Sequence, residues 1–182
     1  VLLIGLWTAA IDVLGVPGYV LPRPSAIGDA LWRGWVHGFL WPHAWFTIRG
    51  AFIGFAIGTV LGILAGIIVA EIRIAAQAIY PIVIAIQSMP TIAIAPLIIV
   101  YFGVGLPSKV VTVALLCFFP VFVNTVAGLR SADPRLVDLY RAASATRLRL
   151  FWDVKFPGAL DHVLVSLQVA LVLAFVGCVV SE

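Results

Sequence analysis

From Ile74 to Gly105 the sequence carries no charged residue. At 1.5 Å per residue, one helix of that length would overshoot a hydrocarbon layer of about 30 Å. The run therefore needs a break, and Pro81 is the natural place for it. This predicts an interfacial piece from Ile74 to Tyr80 and a span from Pro81 to Gly103, kinked at Pro90 and Pro96. Further apolar runs cover Ala44 to Ala70, Val110 to Gly128 and His162 to Val180, and a shorter one opens the chain at Val1 to Leu14. Charged residues are 10% of the chain and mean hydropathy is +1.17. A soluble domain carries about 25% charge, so lipid must solvate most of this surface. The runs are continuous rather than alternating, which predicts helices and not a barrel. The expected fold is all-α: a polytopic transmembrane helical bundle of about five spans, forming one domain over residues 1–182. The apolar start, without methionine or basic leader, and the stop at Glu182 where a helix ends make both termini read as truncated.

Gly50, Gly54, Gly58, Gly62 and Gly66 recur every fourth residue. That spacing lays them on one stripe of the second span, where a neighbouring helix can approach closely. Cys117 and Cys178 lie within apolar runs and are expected to be inert packing residues. His37, His43 and His162 have no ligand spacing, so no metal is expected. The formal charge of +3 comes from basic residues clustered in one loop, which speaks for membrane topology and against nucleic-acid binding.

Topology follows from where the cations lie. Arg73, Arg130, Arg135, Arg141, Arg147, Arg149 and Lys155 fall on one side, and Arg23, Arg33, Arg49 and Lys109 on the other. The positive-inside rule makes the first group cytoplasmic. Residues 16–43 then form an external loop. Its helix, capped by Ser25 and running to about Gly38, lies on the membrane surface among Trp32, Trp35, Trp41 and Trp45. Candidate pathway residues are the few polar groups within spans: Gln87, Ser88, Thr91, Asn124 and Gln168, with Ser166 beside the last. For each, interhelical hydrogen bonding is the competing role.

Residues 129–161 form the one large polar element and face the cytoplasm. Asp133-Pro134 has helix-start chemistry, an N-cap followed by proline at the first position. A helix is expected from Arg135 to Ala145 and a second from Arg147 to Phe156, ended by Pro157-Gly158. Two readings of this loop stand on the residues alone. It is a basic segment resting on anionic lipid, or a docking element for a soluble partner.

The stretch Asp138 to Leu160, DLYRAASATRLRLFWDVKFPGAL, resembles the "EAA" loop of binding-protein-dependent ABC importer permeases. Asp138 stands at the usual glutamate, Ala145-Thr146 at the alanine-serine pair, and Phe156 to Leu160 at the ending. Leu139 and Tyr140 replace the paired alanines, and Ser144 replaces a turn glycine. Leu21 to Leu31, Gln87 to Lys109 and Phe118 to Asp138 resemble, in order, segments of the nitrate/sulfonate/taurine branch, which also includes thiamine-precursor and riboflavin-like permeases. The resemblance implies a type I importer permease in a bacterial cytoplasmic (inner) membrane. Its implied partners are ABC ATPase subunits, a second permease copy forming a homodimer, and an external solute-binding protein. It places coupling to the ATPase on Asp138, Arg141, Ala142, Ala143, Ser144, Ala145, Thr146 and Arg147. No phosphate-binding glycine loop and no catalytic constellation occur in the sequence. The chain is thus expected to be a transport subunit without a cofactor, with ATP and magnesium bound by the partner. An ATPase-independent channel or secondary transporter would want ionisable groups at mid-membrane depth, and an enzyme would want a reactive cluster. Among substrates of the resembling branch, the scarcity of pathway cations favours a small organic solute over a sulfonate or nitrate-type anion.

Overall fold

The computed structural model describes residues 2–14, 21–87 and 94–181. These residues are helical, with no strand among them. In order they form α1 (Leu2–Leu14), α2 (Pro24–Val36), α3 (Leu40–Glu71), α4 (Arg73–Gln87), α5 (Ala95–Phe102), α6 (Leu106–Arg130), α7 (Pro134–Ala142), α8 (Arg147–Leu150), a π turn (Phe151–Lys155) and α9 (Phe156–Val180). Two compact units divide them, Val1–Phe46 and Thr47–Glu182.

In the first unit, α2 starts two residues earlier than expected. Arg23, in an extended conformation, is the N-cap without a side-chain cap bond, and Pro24 takes the first helical position instead of Ser25 capping it. Proline's fixed φ is already helical and its missing N–H is one the first turn does not need. No α2 residue is buried. Trp32 and Trp35 are 72% and 66% exposed, and Trp35 meets Trp41 edge to face at 5.9 Å.

In the second unit the long uncharged run does not break at Pro81. That proline lies inside α4; α3 gives way to α4 at Ile72, just before the run, and within the run α4 ends at Gln87. The Ile72 amide still donates to Ile68 O at 3.0 Å and Ala76 N to Ile72 O at 2.9 Å, so two backbone bonds flank the turn. Pro81 costs α4 one amide donor, which the helix tolerates. The span expected from Pro81 to Gly103 is therefore described only as the end of α4 and α5, and its Pro90 kink lies outside the described residues. Among the described residues, three helical stretches are long and apolar enough to cross a membrane: Leu40–Glu71, Leu106–Arg130 and Arg147–Val180.

The glycine stripe of α3 meets α6. All five glycines are buried. A Cβ on Gly54 would lie 2.6 Å from Val113 Cβ, on Gly62 2.9 Å from Phe118 O, and on Gly66 2.7 Å from Thr125 Cβ; on Gly58 it would overlap Ala114 O. Gly50 is looser, with 3.5 Å to Leu106 and Lys109 side chains. The partners rise along α6 as the glycines rise along α3, so the two helices run parallel with backbones in contact. Helix α9 returns antiparallel: Gly128 faces Ala159 and His162, while Gly177 faces Leu116 and Val113. Between them Val113, Cys117, Val121, Ala170 and Ala174 form the core, joined by Ala51 of α3. Helix α4 adds Val83 to a second cluster with Val69, Phe119, Phe122 and Val126. Buried hydroxyls are satisfied within their own helices, as where Thr125 Oγ1 donates to Val121 O at 2.7 Å and Ser166 Oγ to Val163 O at 2.7 Å. The Cys117 thiol donates to Ala170 O at 3.2 Å.

Candidate functional site

Between α6 and α9 the chain leaves the apolar core for residues 131–155. Helix α7 begins as its sequence predicts: Asp133 Oδ1 accepts from the Arg135 amide at 2.8 Å, with Pro134 in the first turn. It ends at Ala142, earlier than the expected Ala145. The reason lies at Ser144, the one non-glycine with positive φ (57°) among the described residues. With Ser144 left-handed, its amide donates to Arg141 O at 3.0 Å and the Ala145 amide reaches back to Tyr140 O at 2.9 Å. This pair of bonds is a Schellman stop, with serine where glycine is usual. Thr146 then caps α8, its Oγ1 accepting from the Arg149 amide at 3.3 Å.

The second short helix does not end at Pro157-Gly158. Helical backbone continues from Arg147 to Val180. The π turn makes this possible. The Phe156 amide donates to Phe151 O, five residues back. The extra residue lets α9 restart with Pro157 in its first turn, where no amide is required.

The surface presented is mixed. Asp138, Arg141, Ala142, Ala143, Ser144, Thr146 and Arg147 are exposed and Ala145 is half-buried. Arg141 pairs loosely with Asp138 at 3.6 Å and Arg149 with Asp153 at 3.4 Å; both pairs are solvated and contribute little. Leu139 and Leu148 are 62% and 69% exposed, and Trp152 55%. A concavity of about 410 Å³ opens between the two short helices, lined by Leu139, Tyr140, Ala143, Ser144, Thr146 and Arg149 among others. Leu150, the last residue of α8, is buried.

The other sequence-predicted positions do not converge. Gln87 ends α4 exposed, Gln168 is exposed on α9, and Asn124 is half-buried with Nδ2 donating to Pro120 O at 2.8 Å. No hydrogen bond among the described residues joins these three, and Ser88 and Thr91 lie outside the described residues. Three residues with structural roles were treated in the sequence only as charges to be counted. Lys109, assigned to a loop, is in the first turn of α6, 6% exposed, with Nζ 3.4 Å from Thr47 Oγ1. Arg130 and Lys155 both reach the end of α3, as described below. No local motif marks any of them; only the helix ends bring their partners near.

Helices long and apolar enough to cross a membrane, with an exposed helical loop between two of them, define a multi-pass helical membrane protein. Residues 58–182 match the family described as binding-protein-dependent transport system inner membrane component, and the chain belongs to that family. It is 36% identical to the riboflavin transport system permease protein of Chloroflexus aurantiacus, over 100% of this chain and 68% of that protein. It is 33% identical to the formylaminopyrimidine transport permease protein of Halalkalibacterium halodurans, over 100% and 72%. A putative aliphatic sulfonates transport permease protein of Escherichia coli is 32% identical over 99% and 68%. The chain is thus a permease subunit of an ABC importer in the inner membrane. It is not an enzyme, and ATP hydrolysis belongs to separate partner chains.

Proposed function

We propose that this permease moves a small organic solute, handed over by an external binding protein, and that two copies of the chain form the pathway. The substrate class rests on the relatives named for riboflavin and formylaminopyrimidine transport, at 36% and 33% identity. The sulfonate reading is the alternative, favoured by the 32% identical Escherichia coli relative. The observation that carries the mechanism is the loop at 131–155. Two short helices joined by the Ser144 stop hold exposed Leu139, Leu148 and Trp152 among arginines. Lipid attraction needs only charge; a capped and rigid pair of helices suits docking into a protein groove. Asp138, Arg141, Ala142, Ala143, Ser144, Ala145, Thr146 and Arg147 are its contact surface for the ATPase, on the cytoplasmic side. Within the membrane Gln87, Ser88, Thr91, Asn124 and Gln168 are the polar positions available to the solute.

Two measurements test this. Riboflavin, a formylaminopyrimidine and an alkanesulfonate are titrated into the cognate binding protein, and the one bound should stimulate ATP hydrolysis in the reconstituted complex. Bulky replacement of Ala143, Ala143→Trp, should release the ATPase subunits on co-purification. Retention of the ATPase with undiminished transport would reject the docking surface.

A further inference from the structure

The two stems of the loop converge on one turn of a third helix. Arg130, the last residue of α6, donates from Nη2 to Val69 O at 3.4 Å and holds its guanidinium 5.7 Å from the Tyr80 ring centre. Lys155, the last residue of the π turn, donates from Nζ to Glu71 Oε1 at 2.6 Å. The side chains of this second pair, Lys155 and Glu71, are 22% and 30% exposed. Val69 and Glu71 belong to the last turn of α3. That turn carries unpaired carbonyls and the negative end of the helix dipole, and Glu71 adds a further negative charge there. Left alone it is an unfavourable end; the two cations complete it.

The arrangement of apolar groups around it gives the clasp its importance. Helices α3 and α6 touch directly along the glycine stripe. Between α3 and α9, however, a cavity of about 300 Å³ opens at this level, lined by Ile63 and Ile67 of α3, Thr125 and Leu129 of α6, and Phe156 and Leu160 of α9 among others. Apolar packing does not close α3 onto the start of α9 there. The Glu71–Lys155 pair bridges that gap.

We propose that Glu71 and Lys155, with Arg130, are the positioning residues that pass movement of the 131–155 loop into α3, so that α3, α6 and the start of α9 shift as one body. The proposal rests on the reading of that loop as the ATPase contact. Packed cores respond to displacement by switching between discrete arrangements. A lever delivers its displacement only to elements it is fixed to. Without the ion pair the π turn, already one residue out of α register, absorbs the movement locally.

The test uses the complete transporter with its ATPase and binding protein, reconstituted in liposomes. Glu71→Gln and Lys155→Met are compared with the exchange pair Glu71→Lys, Lys155→Glu. The readout is solute accumulated per ATP hydrolysed, beside co-purification of the ATPase. The expected result is retained ATPase subunits, continued hydrolysis and a ratio lowered roughly fivefold in each single variant, with most of the ratio recovered in the exchange. Single variants that keep the wild-type ratio overturn the proposal, and so does an exchange pair as defective as the singles, since the charge would then not be what matters. Ala143→Trp separates this from the underlying reading: if that variant keeps its ATPase and transports normally, the loop is not the contact; if it loses the ATPase while Glu71→Gln transports normally, only the clasp falls.

Discussion

The amide of Ala145 donates to the carbonyl of Tyr140 at 2.9 Å across a Ser144 held at φ 57°. A side chain in the left-handed region costs about 1–2 kcal/mol relative to right-handed backbone. Glycine would remove that cost while adding about 0.5–1 kcal/mol of unfolded-state freedom. Ser144→Gly is therefore expected to firm the turn modestly, slowing hydrogen exchange at the Ala145 amide by roughly twofold to fivefold. Ser144→Val, β-branched at the same φ, should speed that exchange by a larger factor. Equal exchange in all three proteins would show that the left-handed geometry is not what closes the turn.

The glycine stripe yields a prediction with an internal control. At Gly58 the added methyl of alanine meets the Ala114 backbone oxygen, which cannot rotate away. Gly58→Ala should lower stability in detergent by about 1–3 kcal/mol, the usual cost of overpacking. At Gly50 the nearest atoms are side chains at 3.5 Å, so Gly50→Ala should be close to neutral. Thermal unfolding of the two variants decides it. Similar losses at both positions would mean that contact with the α6 backbone at Gly58 does not set the effect, since the higher helix propensity of alanine can only stabilise.

Much of this architecture was legible because lipid imposes simple rules. Apolar length marked the spans at Leu40–Glu71, Leu106–Arg130 and Phe156–Val180, and fourfold glycine spacing marked the face of α3 that meets α6. Proline was the main source of error. Pro157 read as a stop and Pro81 as a break, yet Pro157 occupies a helical first turn and Pro81 an α4 interior. Whether proline ends a helix depends on whether its missing amide was needed, and the π turn that removes the need before Pro157 leaves no mark in composition. The clasp at Glu71 was equally hidden, because Lys155 is distant in sequence and its approach depends on how three helices end. In the loop, the Asp133 cap was visible as Asp-Pro, whereas the Ser144 stop was visible only as a departure from a family pattern.

The Asp133 cap can be tested alone. Its carboxylate satisfies the Arg135 amide, one of the donors that the first turn of α7 cannot pair internally. Asp133→Ala should destabilise α7 by about 1 kcal/mol, and Asp133→Asn by much less, since asparagine caps nearly as well. Hydrogen exchange across Arg135 to Asp138 measures this. Fraying confined to α7, with α6 and α9 unaffected, is the expected pattern. Equal fraying in the alanine and asparagine variants would point to lost charge at the helix start rather than to the cap bond.

Cys117 and Cys178 offer a direct probe of how α3, α6 and α9 pack. Both are 0% exposed. Cys117 donates to Ala170 O on α9 at 3.2 Å and Cys178 to Thr47 O on α3 at 3.5 Å, so each thiol is enclosed at a contact between two helices. A thiol enclosed among apolar neighbours is inert because reagent cannot reach it. In mild detergent, neither cysteine should react with a small maleimide on the timescale that labels both after denaturation. Gly58→Ala, by pushing α3 from α6, should loosen the same core, which contains Ala51, Val113 and Cys117 together, and so accelerate labelling of Cys117. Fast modification of Cys117 in the unaltered folded chain would mean that α6 and α9 do not meet as described. Unchanged labelling in Gly58→Ala would mean that the displaced methyl is absorbed locally and does not reach the α6–α9 contact.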